Sequence, residues 1–178
     1  MSAVLEPILS PSRRMARVPM NELLLLSGTA LASKIRRRDV SSAAVVEAHI
    51  RHVERVNPSL NAMVHSRFDE ARVEARAADQ KLADGGELGP FHGVPCSIKE
   101  AFAVRGMPNT SGLVARKGTL AQSDAITVAR LRAAGAIVLG VTNISMPFGW
   151  CDECPWTTST PAASMRARAK AICRRGTS

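Results

Sequence analysis

A chain of 178 residues with 46% hydrophobic side chains can build one packed domain and is too apolar for a disordered polymer. Aromatic residues make up only 3%, so the core must be aliphatic, as α/β layers often are. The net charge of +9 belongs to the ends: residues 154–178 carry five basic side chains and no acid, residues 1–20 carry three arginines against Glu6, and residues 21–153 keep only +2. A near-neutral body with few aromatic rings and no recognisable motif argues against specific nucleic-acid recognition, leaving non-specific adhesion to the basic tail.

Four cysteines (Cys96, Cys151, Cys154 and Cys173), with no convincing signal peptide, point to a reducing, cytoplasmic setting. Cys151 and Cys154 have the spacing of half a zinc site, but no second Cys or His pair completes it, so no metal and no cofactor is expected. The run Leu23-Leu24-Leu25-Leu26 is far too short to span a bilayer. The chain divides into a leader over 1–22, expected to be disordered, a folded body over 23–153 and a basic tail over 154–178, also expected to be disordered.

In chain order, Ser27 is placed to cap a helix reaching about residue 38, with Leu31 and Ile35 on one face and Arg36, Arg37 and Arg38 complementing the helix dipole at its end. Ser41 or Ser42 caps the next helix, whose Val46, Ile50 and Val53 form an apolar stripe and whose Glu47 and Arg51 can pair; Pro58 predicts its end at Asn57. His49 and His52 lie three apart on it, but without a matching carboxylate they read as a solvated or packed pair. Residues 60–65 read as a short strand or extended link. A third helix over about 68–84 follows, with a small-residue stripe of Phe68, Ala71, Ala75, Ala78 and Leu82, ended by Gly85-Gly86.

Next comes Gly89-Pro90-Phe91-His92-Gly93-Val94-Pro95-Cys96-Ser97-Ile98-Lys99-Glu100, a Gly/Pro-punctuated turn feeding a short apolar strand that ends on a lysine. Taken alone, Lys99 is either a salt-bridged surface residue or a catalytic base. Residues 101–118 are rich in Gly, Pro, Asn, Thr and Ser and read as a loop able to line a pocket or as an ordinary crossover, with Thr110 and Ser111 as candidate substrate-binding residues. Ser123 or Asp124 is expected to cap a helix with Val128 and Leu131 inward and Gly135 at its end, before an apolar strand over 136–141. Strand, loop, helix, strand in this order predicts parallel pairing of the two strands.

The segment from Gly93 to Glu100 resembles the G-V-P-x-S-I-K-[DE] strand of the amidase signature family. Asp124-Ala125 and the run Arg130-Leu131-Arg132-Ala133-Ala134-Gly135-Ala136-Ile137-Val138-Leu139-Gly140-Val141-Thr142-Asn143 resemble a second motif of that family, and Val56-Asn57-Pro58-Ser59-Leu60-Asn61-Ala62 resembles its N-terminal part. The resemblance covers about residues 23–150. It implies an α/β fold, the N-terminal portion of a mixed β-sheet covered by helices. It also implies a serine hydrolase cleaving carboxylic amide C–N bonds, in which Lys99 is the general base of a Ser-Ser-Lys triad. That mechanism calls for a buried lysine kept neutral by desolvation, a bridging serine, a nucleophilic serine and glycine-rich backbone donors for the oxyanion.

The pattern then breaks. An acidic residue usual after the Thr-Asn pair is replaced in Ile144-Ser145-Met146, with Ser145 keeping the alcohol. Nothing over 154–178 resembles the family's Gly-Gly-Ser-Ser-Gly-Gly segment: Gly176 is its one glycine, and Ser159, Ser164 and Ser178 sit in Thr-, Ala- and Arg-rich sequence. Both triad serines and the oxyanion loop are therefore unmatched, and the chain is expected to be inactive alone. Within the family the wording resembles fatty-acid-amide-hydrolase-like members more than the glutamyl-tRNA amidotransferase component acting on charged tRNA. A small-molecule amide is the implied substrate, association with a full-length homologue the alternative role, and peripheral membrane contact an allowed family property.

Overall fold

The computed structural model describes residues 20–144, excepting the side chains of Met20, Asn21 and Val114. A short turn of helix, α1 (Met20–Leu23), precedes α2 (Gly28–Arg36) and α3 (Ser42–Leu60). Strand β1 (Met63–Ser66), helix α4 (Phe68–Ala83), strand β2 (Pro95–Lys99), helix α5 (Ile126–Ala133) and strand β3 (Ile137–Thr142) complete the order.

The expected caps form at the first two long helices. Ser27 accepts a hydrogen bond from the Ala30 N–H, and Ser41 from the Ala44 N–H, each satisfying a donor that the first helical turn leaves free. Leu31, Ile35, Val46 and Ile50 are all buried, as their spacing requires. The arginine triplet is anchored by structure: Arg36 donates to the Gly89 carbonyl, Arg38 to the Leu82 carbonyl, and Arg37 pairs with Asp39.

Several boundaries differ from expectation, among them the start of β1 at Met63 rather than residue 60, since Leu60 still belongs to α3. Helix α3 does not stop at Asn57; it carries Pro58 inside its last turn and ends where Asn61 turns left-handed (φ 49°), with the Asn61 N–H reaching the Asn57 carbonyl. The Asn57 side chain clamps the exit by accepting from the Met63 N–H and donating to the Met63 carbonyl, so the helix end is set by that amide rather than by the proline. Helix α5 has no side-chain cap. Its N-cap residue is Ala125, because the Asp124 carboxylate is taken by the Arg105 N–H (2.8 Å) and by an ion pair with Arg132 (3.2 Å).

The sheet has the order β1-β3-β2, with β3 antiparallel to β1 and parallel to β2. This is the mixed sheet expected, with the central strand β3 buried from Ile137 to Val141. Ile137 and Leu139, two apart, face α3 and α4 together with Met63, Ala71 and Ala75. A register shift opposite Cys96 and Ser97 brings Val138 and Val141, three apart, onto the other face, against Ile98, Val104, Met107 and Val128. A third cluster, of Leu23, Leu31, Ile35, Val45 and Val94, seats α2 against α3. Among the described residues the buried hydrophobic side chains are Ala, Val, Leu, Ile and Met without one aromatic.

The Gly89–Gly93 region and the Gly135 turn are locked together. Phe91 donates to the Ala134 carbonyl, Gly93 to the Gly135 carbonyl, and Ile137 to the Val94 carbonyl. A Cβ on Gly89 would lie 2.3 Å from the Ala134 oxygen, and one on Gly135 would lie 2.7 Å from the His92 Cα. Gly93, at φ +73°, has no room either, since a Cβ there would lie 2.6 Å from Ser42 Oγ, which itself donates to the Gly93 carbonyl.

Candidate functional site: the carboxyl ends of the parallel strands

Strands β2 and β3 run parallel, so their carboxyl ends emerge side by side, with Lys99 opposite Thr142. In open α/β sheets this end is where ligands bind. Lys99 is delivered there because the apolar alternation of β2 buries Ile98 and leaves Ser97 and Lys99 on the other face.

The Lys99 side chain is exposed and has no hydrogen-bond or ion-pair partner among the described residues. This corrects the expectation of a buried lysine. Its strand stands at the end of the strand order among the described residues, and Ser97 on the same face is exposed with it. The neighbouring Glu100 is not its counter-ion. Successive side chains along a strand diverge, and Glu100 is buried at 4% exposure while Lys99 meets solvent.

Glu100 is an organiser that sequence reasoning missed. Its N–H continues the ladder to the Thr142 carbonyl (2.9 Å), and its carbonyl accepts from the Asn109 side chain (2.9 Å). Its carboxylate accepts from the Thr110 N–H and, at 2.9 Å, from the Ser111 N–H. The turn this creates has Ser111 at φ 54°, and Thr110 Oγ1 accepts from the Gly112 N–H at 3.2 Å. Thr110 and Ser111 are thus fastened to the residue that follows Lys99. A Lys-Glu pair at the end of a strand, followed within a dozen residues by Asn-Thr-Ser-Gly, was the available signal.

The other candidates separate. His49 Nδ1 meets the Val45 carbonyl and His52 Nδ1 meets Arg55, so the two rings have different partners. The Cys96 thiol is pushed up by burial, only partly opposed by Arg132, which suits a packed side chain rather than a nucleophile. Ser145, the Cys151/Cys154 pair, Ser159, Ser164, Ser178, most of the leader and the whole tail lie outside the described residues. An open cleft of about 360 Å³ lies elsewhere, along β1 and the end of α3, lined by Val53, Glu54, Pro58, Met63, Val64 and Phe68. Neither Lys99 nor Thr110 nor Ser111 contributes to it, so cleft size and site chemistry do not coincide.

A lysine at the carboxyl end of a parallel strand pair, in a mixed sheet covered by helices, is the arrangement expected of an amide hydrolase of the amidase signature class. The chain belongs to that family: the Amidase family pattern matches residues 44–153. It is 48% identical over 143 residues to Fatty-acid amide hydrolase 2 of Homo sapiens, covering 76% of this chain and 27% of the relative. It is 41% identical over 120 residues to Acylamidase of Rhodococcus erythropolis, covering 66% of this chain and 25% of the relative. Among solved structures it is similar to one described as Fatty acid amide hydrolase, with TM-score 0.66 and 26% identity over 70% of this chain and 22% of that one. The chain therefore spans about a quarter of the length of the curated relatives it matches.

Proposed function

We propose that the chain is the lysine-bearing N-terminal portion of a hydrolase acting on carboxylic amide C–N bonds, with Lys99 as general base, and that it is inactive alone. The observation that carries this is the placement of Lys99 at the shared carboxyl end of β2 and β3 in a chain of the amidase family. In the proposed chemistry a neutral lysine amine takes a proton, through a bridging serine, from a nucleophilic serine whose Oγ attacks the amide carbonyl. The C–N bond then breaks as the leaving amine takes that proton, and water releases the acyl group.

Two observations support inactivity. Lys99 has no hydrogen-bond partner among the described residues, so no bridging serine stands beside it there. The family match ends at Glu153, and the residues beyond contain no glycine-rich serine segment to supply a nucleophile or an oxyanion site. The similarity to Fatty-acid amide hydrolase 2 favours a fatty-acid amide over a charged tRNA as the substrate of the completed site, and Thr110 and Ser111 are the proposed substrate contacts. No helix among the described residues is long and apolar enough to cross a membrane, and the cytoplasm, with peripheral membrane contact allowed, is the proposed location.

The test is release of ammonia from a fatty-acid primary amide and of the aromatic amine from an anilide by the purified chain and by Lys99→Ala. Equal, background rates are expected. Turnover lost in Lys99→Ala would overturn the inactivity, and turnover indifferent to Lys99 would overturn its role. A second reading, a non-catalytic fragment that binds or competes with a full-length amidase, is favoured by the position of β2 as an edge strand beside the exposed Phe102. Co-purification with a full-length amidase, without turnover, distinguishes it.

A further inference from the structure

Glu100 is a buried carboxylate with no cation beside it: among the described residues its acceptors are met by backbone N–H groups alone. Burying such a charge is costly, and a glutamate used only to fill space at this point would be better replaced by an apolar side chain. What it gains is geometry. One residue ties together three chain segments: the Lys99 strand through its own backbone, β3 through the Thr142 carbonyl, and the 109–112 turn through its carbonyl to Asn109 and its carboxylate to Thr110 and Ser111. Other bonds close the turn, the Leu113 N–H on the Thr110 carbonyl and the Asn109 N–H on the Thr119 carbonyl, but among the described residues only the Glu100 carboxylate ties the Thr110 and Ser111 N–H groups, the latter in a left-handed backbone, to the end of β2.

We propose that Glu100 is a positioning residue, whose carboxylate folds the 109–112 turn onto the end of β2 and thereby fixes the hydroxyls of Thr110 and Ser111 at a set place relative to Lys99. This rests on the reading of Lys99 as the site's base, with Thr110 and Ser111 as substrate contacts. Each carboxylate oxygen receives one N–H, so Glu100→Gln, of nearly the same shape, keeps one acceptor and turns an amide N–H₂ toward the second donor. Glu100 makes no contact of its own with Lys99 beyond the chain, so its influence passes through the turn.

The test follows amide hydrogen exchange and amide proton shifts of the full chain, in wild type and in Glu100→Gln. Bonds to a charged acceptor are among the stronger ones, so protection of Thr110 and Ser111 is expected to fall about tenfold or more. Their amide protons, shifted downfield by the carboxylate in wild type, are expected to move upfield, while Val138 and Val141 in β3 keep their protection. Unchanged signals at Thr110 and Ser111 would overturn the proposal. Loss of protection throughout β3 that Ser111→Gly does not restore would also overturn it, by making Glu100 a residue of general stability. If Glu100→Gln does not fold, Ser111→Gly, which relieves the left-handed strain, is added to it: recovery of β3 protection without recovery at Thr110 supports positioning, and no recovery of β3 opposes it. None of these readouts involves turnover, so failure here is separable from failure of the amidase reading.

Discussion

Gly93 shows what a single position can demand. Its left-handed backbone, the missing Cβ and the hydrogen bond from Ser42 all meet there. Gly93→Ala is expected to destabilise the fold by at least about 2 kcal/mol, combining backbone strain with a clash in a packed site. Denaturant unfolding of the two proteins measures it, and equal midpoints would show that Ser42 can yield. At this scale the sequence was partly legible. Lys99 at the end of a strand could be read from the motif, but its exposure could not, because burial depends on what lies across the sheet. Glu100 was given no role from the sequence, and the alternation of the strand, carried one residue further, sends its side chain away from that of Lys99.

Among elements, the α3–α4 pair is held by carboxylates as well as by its small-residue stripe. Asp79 on α4 accepts from the first N–H groups of α3, those of Ser42 and Ala43, acting as a cap supplied from another helix. Glu47 pairs with Arg51 on its own helix and with Arg72 on α4, and the Arg72 bond is the main reason its carboxyl is held below the usual glutamate range. A lowered carboxylate contributes stability that is complete above its unfolded pKa and is lost as pH falls through the folded one. Glu47→Gln is expected to cost about 0.2–1 kcal/mol at neutral pH, the modest size reflecting solvent screening, and to remove that part of the acid dependence. Urea midpoints at neutral and acid pH check it, and added salt should shrink the difference.

Helix periodicity made α2, α3 and α4 readable, and the continuous apolar run made β3 readable as a strand covered on both faces. The ends of α3 and α5 were not, because they are decided by tertiary partners: Asn57 clamps Met63, and Asp124 is drawn away to Arg105 and Arg132. A local rule about proline or a capping aspartate cannot see those competitors.

For the whole molecule, the order β1-β3-β2 leaves both outer strands without a second neighbour among the described residues. Ile126 at 72% exposure and Leu25 at 87% add apolar surface. Unpaired edges and exposed apolar groups recruit other chains, so a low, concentration-dependent melting transition with aggregation is expected. Calorimetry with light scattering tests this, and a sharp, cooperative melt of a monomer would count against it. The abrupt composition change after Glu153 predicts that one of the other two reading frames of the downstream coding sequence encodes a Gly-Gly-Ser-Ser-Gly-Gly-like segment. Sequencing that region decides it, and absence from both frames would remove the frameshift or alternative-exon account of the tail.

The lock between the Gly93 region and the Gly135 turn makes β2 a ruler with one end nailed down. From that fixed point the strand advances about 3.3 Å per residue, so the height at which Lys99 stands above the sheet is a count of residues rather than a property of the lysine. Inserting one residue between Gly93 and Lys99 would raise the amine by that step and turn it to the opposite face, into the space of Val104 and Met107. The spacing between glycine and lysine is in this sense a dimension of the site, as specific as the lysine itself.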